Sequence, residues 1–155
     1  MQENFSIRRA TLDDVEVISQ QRRGMFEDMG YTDPAILDAM HDGFVPWLCK
    51  KLACEEYVAW LMVSDDQTVV AGVGLWLQDW PPGPRNLVGR RGYVLNVYTH
   101  PDYRRRGLAR QLMETLIAWS QEQQILILTL HASVDGRHLY ETLGFEAHNE
   151  MIKRL

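Results

Sequence analysis

A run of arginines around a single glycine is the segment whose residue types and spacing point most directly to chemistry. Residues 103–110 read Tyr-Arg-Arg-Arg-Gly-Leu-Ala-Arg, and an amphipathic helical pattern starts directly after the glycine. The unpaired backbone N–H groups of a first helical turn and the positive end of the helix dipole favour an anion at this point. Gly107 and Ala109 leave room for its close approach, and the flanking arginines add charge-assisted hydrogen bonds. The segment therefore predicts a binding site for a pyrophosphate.

The distribution of charge supports a specific anion site and argues against nucleic acid as a partner. The net charge is −5, and residues 1–60 hold 6 basic and 11 acidic residues. Residues 90–110, in contrast, hold six arginines and one acid, Asp102. A negative protein repels the phosphate backbone as a whole, and no aromatic residues are interleaved along a basic face. Nucleic-acid binding through the arginines is thus the least favoured hypothesis, and failure to retard DNA or RNA at low salt would dispose of it.

Size and composition predict one globular domain over residues 1–155. The chain has 46% hydrophobic and 24% charged residues, which excludes disordered and low-complexity classes. Its longest apolar stretches, 57–63 and 125–130, are far shorter than the roughly 20 residues that cross a bilayer, so no membrane span is expected. The first residues lack the pattern of a secretory signal, which makes the cytoplasm the expected location. Cys49 and Cys54 are interpreted as reduced packing residues, and no zinc spacing predicts a metal site.

The elements that must position the arginine turn follow from periodicity and from turn residues. Strands are predicted at 5–9, 57–63, 68–77, 93–99, 124–130 and 145–153, and helices after Thr11, after Pro34, at 107–121 and at 134–143. The strands 57–63 and 68–77 are expected to pair as a hairpin, and the expected inward stripe of the helix 107–121 is Leu108, Leu112, Leu116 and Trp119. Thr11 and Asp14 have the spacing of a capping box, and Pro46 predicts a kink or break in the second helix. The long irregular segment 78–92 is expected to be functional. The connection from strand 93–99 through a helix to strand 124–130 must be parallel and right-handed.

Three segments, in the correct order, resemble the GNAT superfamily of N-acetyltransferases. Arg104-x-x-Gly107-x-Ala109 resembles the Q/R-x-x-G-x-G/A motif that binds the pyrophosphate of acetyl-coenzyme A. Residues 96–103 are similar to the strand end at which a bulge splays two parallel strands of that family. Ser133-x-x-Gly136-x-x-Leu139-Tyr140-x-x-x-Gly144-Phe145 resembles N-x-x-A-x-x-L-Y-x-x-x-G-F. Ser133 and Gly136 depart from the family's Asn and Ala, although a serine hydroxyl can still form a hydrogen bond with a shorter reach.

The resemblance implies a fold and a cofactor site. The expected fold is α/β, with a mixed central sheet flanked by helices and a splayed parallel strand pair, about 93–99 and 124–130, that forms the acetyl-CoA cleft. The backbone of Val97 and Thr99 is expected to hold the acetyl carbonyl and the pantetheine arm. The full set of expected cofactor-binding residues is Val97, Tyr98, Thr99, Arg104, Arg105, Arg106, Gly107, Leu108, Ala109, Arg110 and Ser133.

The implied activity is transfer of an acetyl group to a primary amine, expected to belong to a small molecule, by direct attack. A free N–H near Val97 would stabilise the charge on the carbonyl oxygen, and Tyr140 would protonate the departing thiolate as general acid. The resemblance places the acceptor against the first two helices and the loop 78–92, where the candidates are Glu27, Asp28, Trp76, Asp79 and Trp80. The general base is left open among Asp79, Glu27 and Asp28. Protein lysine or N-terminal amines are alternative acceptors, a non-catalytic acyl-CoA sensor is an alternative function, and a homodimer is compatible with this fold.

Overall fold

A five-stranded mixed sheet with helices on both faces forms the framework of the protein. The computed structural model describes residues 3–155. The strands are β1 (Phe5–Arg9), β2 (Tyr57–Ser64), β3 (Val69–Asp79), β4 (Arg90–Thr99) and β5 (Leu128–Thr129), and the helices are α1 (Val15–Asp28), α2 (Pro34–Ala53), α3 (Leu108–Glu122) and α4 (Arg137–Thr142). The sheet order is β1-β2-β3-β4-β5; the first four strands pair antiparallel and β4 pairs parallel with β5. The predicted α/β class, the β2–β3 hairpin and the parallel pair are confirmed.

The entry into α1 is fixed by the predicted capping box. A short 3₁₀ turn, Leu12–Asp14, precedes the helix, and the Asp14 carboxylate accepts a hydrogen bond of 2.8 Å from the Thr11 N–H. The guanidinium of Arg8 donates two further hydrogen bonds of 2.8 Å to the same carboxylate. The Asp14 carboxylate therefore caps the 3₁₀ turn and also links the start of α1 to strand β1.

Each face of the sheet carries its own apolar cluster. On one face α3 contributes the predicted inward stripe, with Leu108 3% exposed and Leu112 and Leu116 fully buried. On the other face α1 and α2 pack against β2, and the buried residues there are Ile18, Phe44, Leu48, Tyr57, Ala59 and Leu61. β4 contributes to both clusters, through Val94 on one face and Leu95 on the other. No helix in the described part, 3–155, is long and apolar enough to span a membrane.

The C-terminal part of the chain differs from the prediction. The expected strand 124–130 pairs only at Leu128–Thr129, and α4 begins at Arg137 rather than at residue 134. The expected last strand, 145–153, is wrong, since these residues form neither strand nor helix and 146–155 are exposed. A two-residue strand offers too short an edge to pair with. The polar residues Glu146, His148, Asn149 and Glu150 also interrupt the apolar alternation of a strand.

Two smaller expectations in α2 also need correction. The helix runs from Pro34 to Ala53 without the break that was one of the two alternatives at Pro46, and Phe44 and Leu48 are buried on its apolar face. Cys54 is exposed and ends the helix, so the packing interpretation is wrong for this residue. Cys49 is partly buried, and both cysteines are free thiols.

Candidate active site

A bulge in β4 opens the sheet beside the arginine turn. Gly74 pairs with Leu95 and Gly72 with Tyr98, so one extra residue of β4 is accommodated between these pairs. Asn96 lies at that point with φ +56, a left-handed conformation that asparagine tolerates better than most residues. On its other side β4 pairs with β5 only at Gly92 and Tyr93. Beyond Tyr93 the two parallel strands separate, as expected for the splayed strand pair that the resemblance implied.

The open side of β4 presents unpaired backbone groups. The N–H of His100 donates to the Val70 carbonyl at 2.8 Å and thus faces β3. Since successive N–H groups of a strand point to opposite sides, those of Thr99 and Val97 face the gap. Val97 and Thr99 are the residues whose backbone is expected, from the resemblance, to hold the acetyl carbonyl and the pantetheine arm. The Tyr98 side chain packs on α1, where a Cβ added at Gly24 would lie 2.8 Å from its hydroxyl.

The arginine turn begins helix α3 in the predicted way. Gly107 is the N-cap with φ +75, and a Cβ placed on it would meet no atom within 4 Å. The first N–H bonded inside the helix is that of Gln111, which donates to the Gly107 carbonyl at 3.2 Å. The N–H groups of the preceding residues, Leu108, Ala109 and Arg110, therefore start the helix without intrahelical partners. An open space next to such donors is suited to a phosphate group.

The arginines around this turn are tied to neighbouring elements. Arg104 donates to the Thr99 carbonyl at 2.9 Å and pairs with Asp28. Arg106 pairs with Glu3 at 2.6 Å, and Arg110 pairs with Glu114 at 3.5 Å. Arg105 has φ +62 and forms no ion pair within residues 3–155. The arrangement gathers four guanidinium groups beside the N-terminus of α3, and three of them are paired with carboxylates.

Tyr140 lies on α4 with its ring buried and 8% of its surface exposed. The ring packs edge-on against Phe145, and burial raises the pKa of its hydroxyl above the ordinary value of about 10, so the group stays protonated at neutral pH. A Cβ added at Gly136 would lie 2.9 Å from this ring, so the glycine allows α4 to pack closely around Tyr140. Ser133 Oγ accepts a hydrogen bond of 3.1 Å from the Gly136 N–H and so caps the start of α4.

The residues expected to bind the acceptor are not brought to one place. Glu27 pairs with Arg23, whereas Asp28 pairs with Arg104 next to the arginine turn. Trp76 packs against Trp47 at a ring distance of 5.4 Å and against Tyr93 at 6.5 Å, which places it beside β4. Trp76 also lines an open groove that Asp79 and Trp80 border.

Asp79 and Trp80 border an open groove of about 840 Å³ at the C-terminal end of α3, with Trp119 and Gln123 on its wall. At 1.5 Å per residue, the length of this 15-residue helix separates the groove from Gly107 by about 20 Å. The Arg91 guanidinium covers the Trp80 ring at 3.4 Å. This groove is thus distant from the arginine turn, and Trp76 both lines the groove and packs against Tyr93 of β4.

A buried polar network at the bulge was missed by sequence reasoning. The Asn96 side chain, 3% exposed, accepts a hydrogen bond of 2.7 Å from Arg22 Nη1 and donates one of 2.9 Å to the Tyr57 hydroxyl. Burial raises the pKa of Tyr57 to about 12, and the Asn96 hydrogen bond partly opposes this shift. A faint signal exists in the sequence, since an asparagine interrupts the apolar run of β4. The partners come from distant elements and could not be read from spacing.

The point where β4 and β5 separate carries a second contact that the sequence did not indicate. The Tyr93 hydroxyl lies 2.6 Å from His131 Nδ1, and the two rings meet edge-on. Burial raises the pKa of Tyr93. Within residues 3–155 there is no group of three or more His, Cys, Asp or Glu side chains that could hold a metal ion.

Comparison with known proteins agrees with this geometry. A family model described as the acetyltransferase (GNAT) family matches residues 27–145. The crystal structure of a GCN5-related N-acetyltransferase from Ralstonia eutropha JMP134 is similar at 35% sequence identity and a TM-score of 0.91, covering 98% of this chain and 99% of that chain. A predicted acetyltransferase from Clostridium acetobutylicum, crystallised with acetyl-CoA, is similar at 27% identity and a TM-score of 0.88, covering 98% of this chain and 96% of that chain. A ribosomal-protein-alanine N-acetyltransferase from Brucella melitensis, at 23% identity, covers 98% of this chain and 99% of that chain and shares the fold with a TM-score of 0.71. The search of curated proteins gave no match.

Proposed function

Because the chain belongs to the GNAT family of acetyltransferases, enzymes of the acyltransferase class, we propose that it moves the acetyl group of acetyl-CoA to the primary amine of a small molecule. The observation that carries the proposal is the combination of an open β4 edge with a helix N-terminus rich in arginine. Free strand amides and a phosphate-binding turn suit the two chemically different ends of acetyl-CoA.

The residues present fit this cosubstrate. The space next to Gly107 would accept the pyrophosphate, with the N–H groups of Leu108 and Ala109 as donors and Arg105 and Arg110 as neighbouring charges. The amides of Val97 and Thr99 would pair with the pantetheine arm. When bound, acetyl-CoA supplies an acetyl group activated as a thioester, whose transfer releases a thiol.

Two groups of the chain would serve the transfer itself. The N–H of Val97 points into the gap between the strands, where it would donate a hydrogen bond to the carbonyl oxygen as negative charge develops there. The Tyr140 hydroxyl is protonated at neutral pH and would hold the proton that a leaving thiolate requires. No covalent bond to the protein is needed, because the amine nitrogen attacks the carbonyl directly and the proton that it loses passes to the general base.

We place the acceptor on the side of β4 that faces α1 and α2, with Trp76 as part of its wall. The aromatic contacts from Trp47 through Trp76 to Tyr93 lead to the separation of β4 and β5, and they support this placement. Glu27, Asp28, Asp79 and Trp80 stay in the proposal as more distant groups, and the general base stays open among the three acids. We also propose a cytoplasmic location, which the two free thiols favour.

The test is acetyl-CoA-dependent thiol release with a panel of small amines, measured on the native chain and on Tyr140→Phe. We expect Tyr140→Phe to lower kcat by about 100-fold, because general acid catalysis contributes on that scale, with the Kd of acetyl-CoA unchanged. Tyr31→Phe is the matched control, since Tyr31 is 54% exposed and packs only on Phe26 among the aromatic rings of residues 3–155.

The outcomes separate the candidate functions. Equal kcat values for native chain and Tyr140→Phe would remove Tyr140 from the mechanism. Tight acetyl-CoA binding without thiol release for any small amine would overturn the proposal. That result would favour a protein amine as the acceptor if peptides with lysine or free N-termini caused thiol release. It would favour an acyl-CoA sensor if these peptides caused none.

A further inference from the structure

Arg22 is a partly buried cation next to the bulge, and no acid among residues 3–155 pairs with its charge. Its Nη1 donates to the Asn96 amide oxygen at 2.7 Å, which is a neutral partner. Its Nε is buried and has no hydrogen-bond partner within residues 3–155. The guanidinium carbon lies 5.0 Å from the ring centre of Phe26 and 4.7 Å from that of Phe44. Burying a charge in this way is costly unless an anion joins it.

The neighbouring arginine on the same helix shows the contrast. Arg23 pairs with two carboxylates, those of Glu27 at 3.1 Å and of Asp38 at 2.8 Å. The position four residues after Arg22 is Phe26, so α1 itself supplies an aromatic ring where Arg23 finds an acid. Arg104, Arg106 and Arg110 also have carboxylate partners. Arg22 thus differs from these four arginines in having only a neutral hydrogen-bond partner.

The free edge of Arg22 has the geometry that pairs with a carboxylate. Nη1 is occupied by Asn96, and the opposite edge, formed by Nε and Nη2, makes no hydrogen bond in the described part of the chain. Two parallel N–H groups on one edge of a guanidinium match the two oxygens of a carboxylate. Asn96 directly precedes Val97 in the sequence. The Arg22 guanidinium therefore contacts the residue next to the one whose amide is proposed to face the acetyl carbonyl.

We propose that Arg22 binds a carboxylate of the acceptor, so that the acceptor is an amino acid or a related amine that carries an acidic group. The inference rests on the proposed function and narrows its substrate class. The aromatic side chains around Arg22 exclude water from the pair and strengthen it. The amine of such an acceptor, held by its carboxylate at the bulge, would be directed toward the gap beside Val97.

The experiment compares L-amino acids with their carboxamides as acceptors, using thiol release from acetyl-CoA. We expect the native chain to favour the free acid by at least about 10-fold in kcat/KM, mainly through KM, since the carboxamide keeps an amine at the same position and lacks the negative charge that Arg22 would bind. In Arg22→Gln, which retains a donor for Asn96, the KM of the acids is expected to rise until this preference is lost, with the carboxamides unchanged within about twofold. Arg22→Lys is expected to keep part of the preference, and Arg23→Gln to keep all of it.

Different failures have different meanings. Equal rates for acids and carboxamides in the native chain would overturn the inference and leave the proposed function standing, as would a preference for O-phosphoethanolamine over every amino acid. A fall in kcat for both acceptor types alike in Arg22→Gln would assign Arg22 to positioning the bulge through Asn96.

A second measurement does not depend on turnover. Calorimetric titration of the same L-amino acids into the CoA-saturated protein is expected to show binding that Arg22→Gln loses. Binding without thiol release would contradict the proposed function and support the carboxylate site. Absence of both would contradict both proposals.

Discussion

Asn96 joins three elements through one side chain, and its backbone adopts the conformation that opens the cleft. Its amide bridges Arg22 of α1 and Tyr57 of β2, while its φ of +56 places the bulge in β4. A residue with a Cβ but without that amide would keep the strain of the left-handed region and lose both hydrogen bonds. The bulge is therefore stabilised by one polar residue within an otherwise apolar strand.

Substitution of Asn96 separates the contribution of its side-chain hydrogen bonds to stability from the effect of its strained backbone. We expect Asn96→Ala to lower the free energy of unfolding by about 3 kcal/mol, of which about 2 kcal/mol come from the two buried hydrogen bonds. Asn96→Gly loses the same hydrogen bonds but relieves the backbone strain, so it is expected to be about 1 kcal/mol more stable than Asn96→Ala. Urea unfolding measures both values. Equal stabilities of the two variants would show that the left-handed backbone at this position carries no strain.

Among single residues, those inside a continuous motif could be predicted and those that meet through folding could not. Gly107 was placed correctly at the start of a helix because its neighbours carry the pattern. Arg22 gave no signal, since its importance depends on Asn96, 74 positions away. Likewise Gly136 departs from a motif in the sequence, and its close packing against the Tyr140 ring is visible only in the fold.

At the scale of elements, the connection between β1 and α1 depends on the ionisation of the Asp14 carboxyl. Hydrogen bonds from Arg8 are the main reason that the pKa of Asp14 lies below its usual range, with a further contribution from the Thr11 N–H. A carboxyl whose pKa is lowered by folding adds stability above its ordinary value of about 3.9 and loses it as the pH falls further. The cap should thus weaken in acid before the sheet does.

Asp14→Asn tests this dependence. At neutral pH we expect the variant to be about 1 kcal/mol less stable than the native chain, the usual effect of losing a charged cap. The difference should shrink as the pH is lowered from 5 to about 2, because the native carboxyl then becomes neutral as well. Thermal melting of both proteins over this pH range measures it, and a difference that stays constant would contradict the role given to the charge.

The elements that the sequence predicted well are those with a strong local pattern. The stripe of α3 and the β2–β3 hairpin each depend on neighbouring residues, and they were confirmed. The apolar run 125–130 predicted a full strand, but only Leu128–Thr129 pair, because the bulge in β4 removes the partner beyond Tyr93. The segment 146–155 has mixed polar and apolar residues and finds no partner strand within residues 3–155.

At the scale of the whole molecule, two proposed sites meet at the bulge of β4. On one side lie the open strand edge and the arginine turn, and on the other lie Arg22 and the aromatic side chains of α1, α2 and β3. The sequence predicted the first site because its residues follow one another from 96 to 110. The second is assembled from three separate elements, and Trp76 of this site also lines the groove near Asp79 and Trp80.

The most direct test of the account is calorimetric titration of acetyl-CoA into the native chain, Gly107→Ala and Gly107→Trp. We predict a micromolar Kd for the native chain and binding weakened by about 100-fold or more in Gly107→Trp, because the indole would fill the space beside the first N–H groups of α3. Gly107→Ala shares the strained backbone at φ +75 but adds only a methyl group, so it is expected to bind more tightly than Gly107→Trp. No binding to the native chain, or equal binding to the native chain and Gly107→Trp, would contradict the assignment of the arginine turn as the acetyl-CoA site.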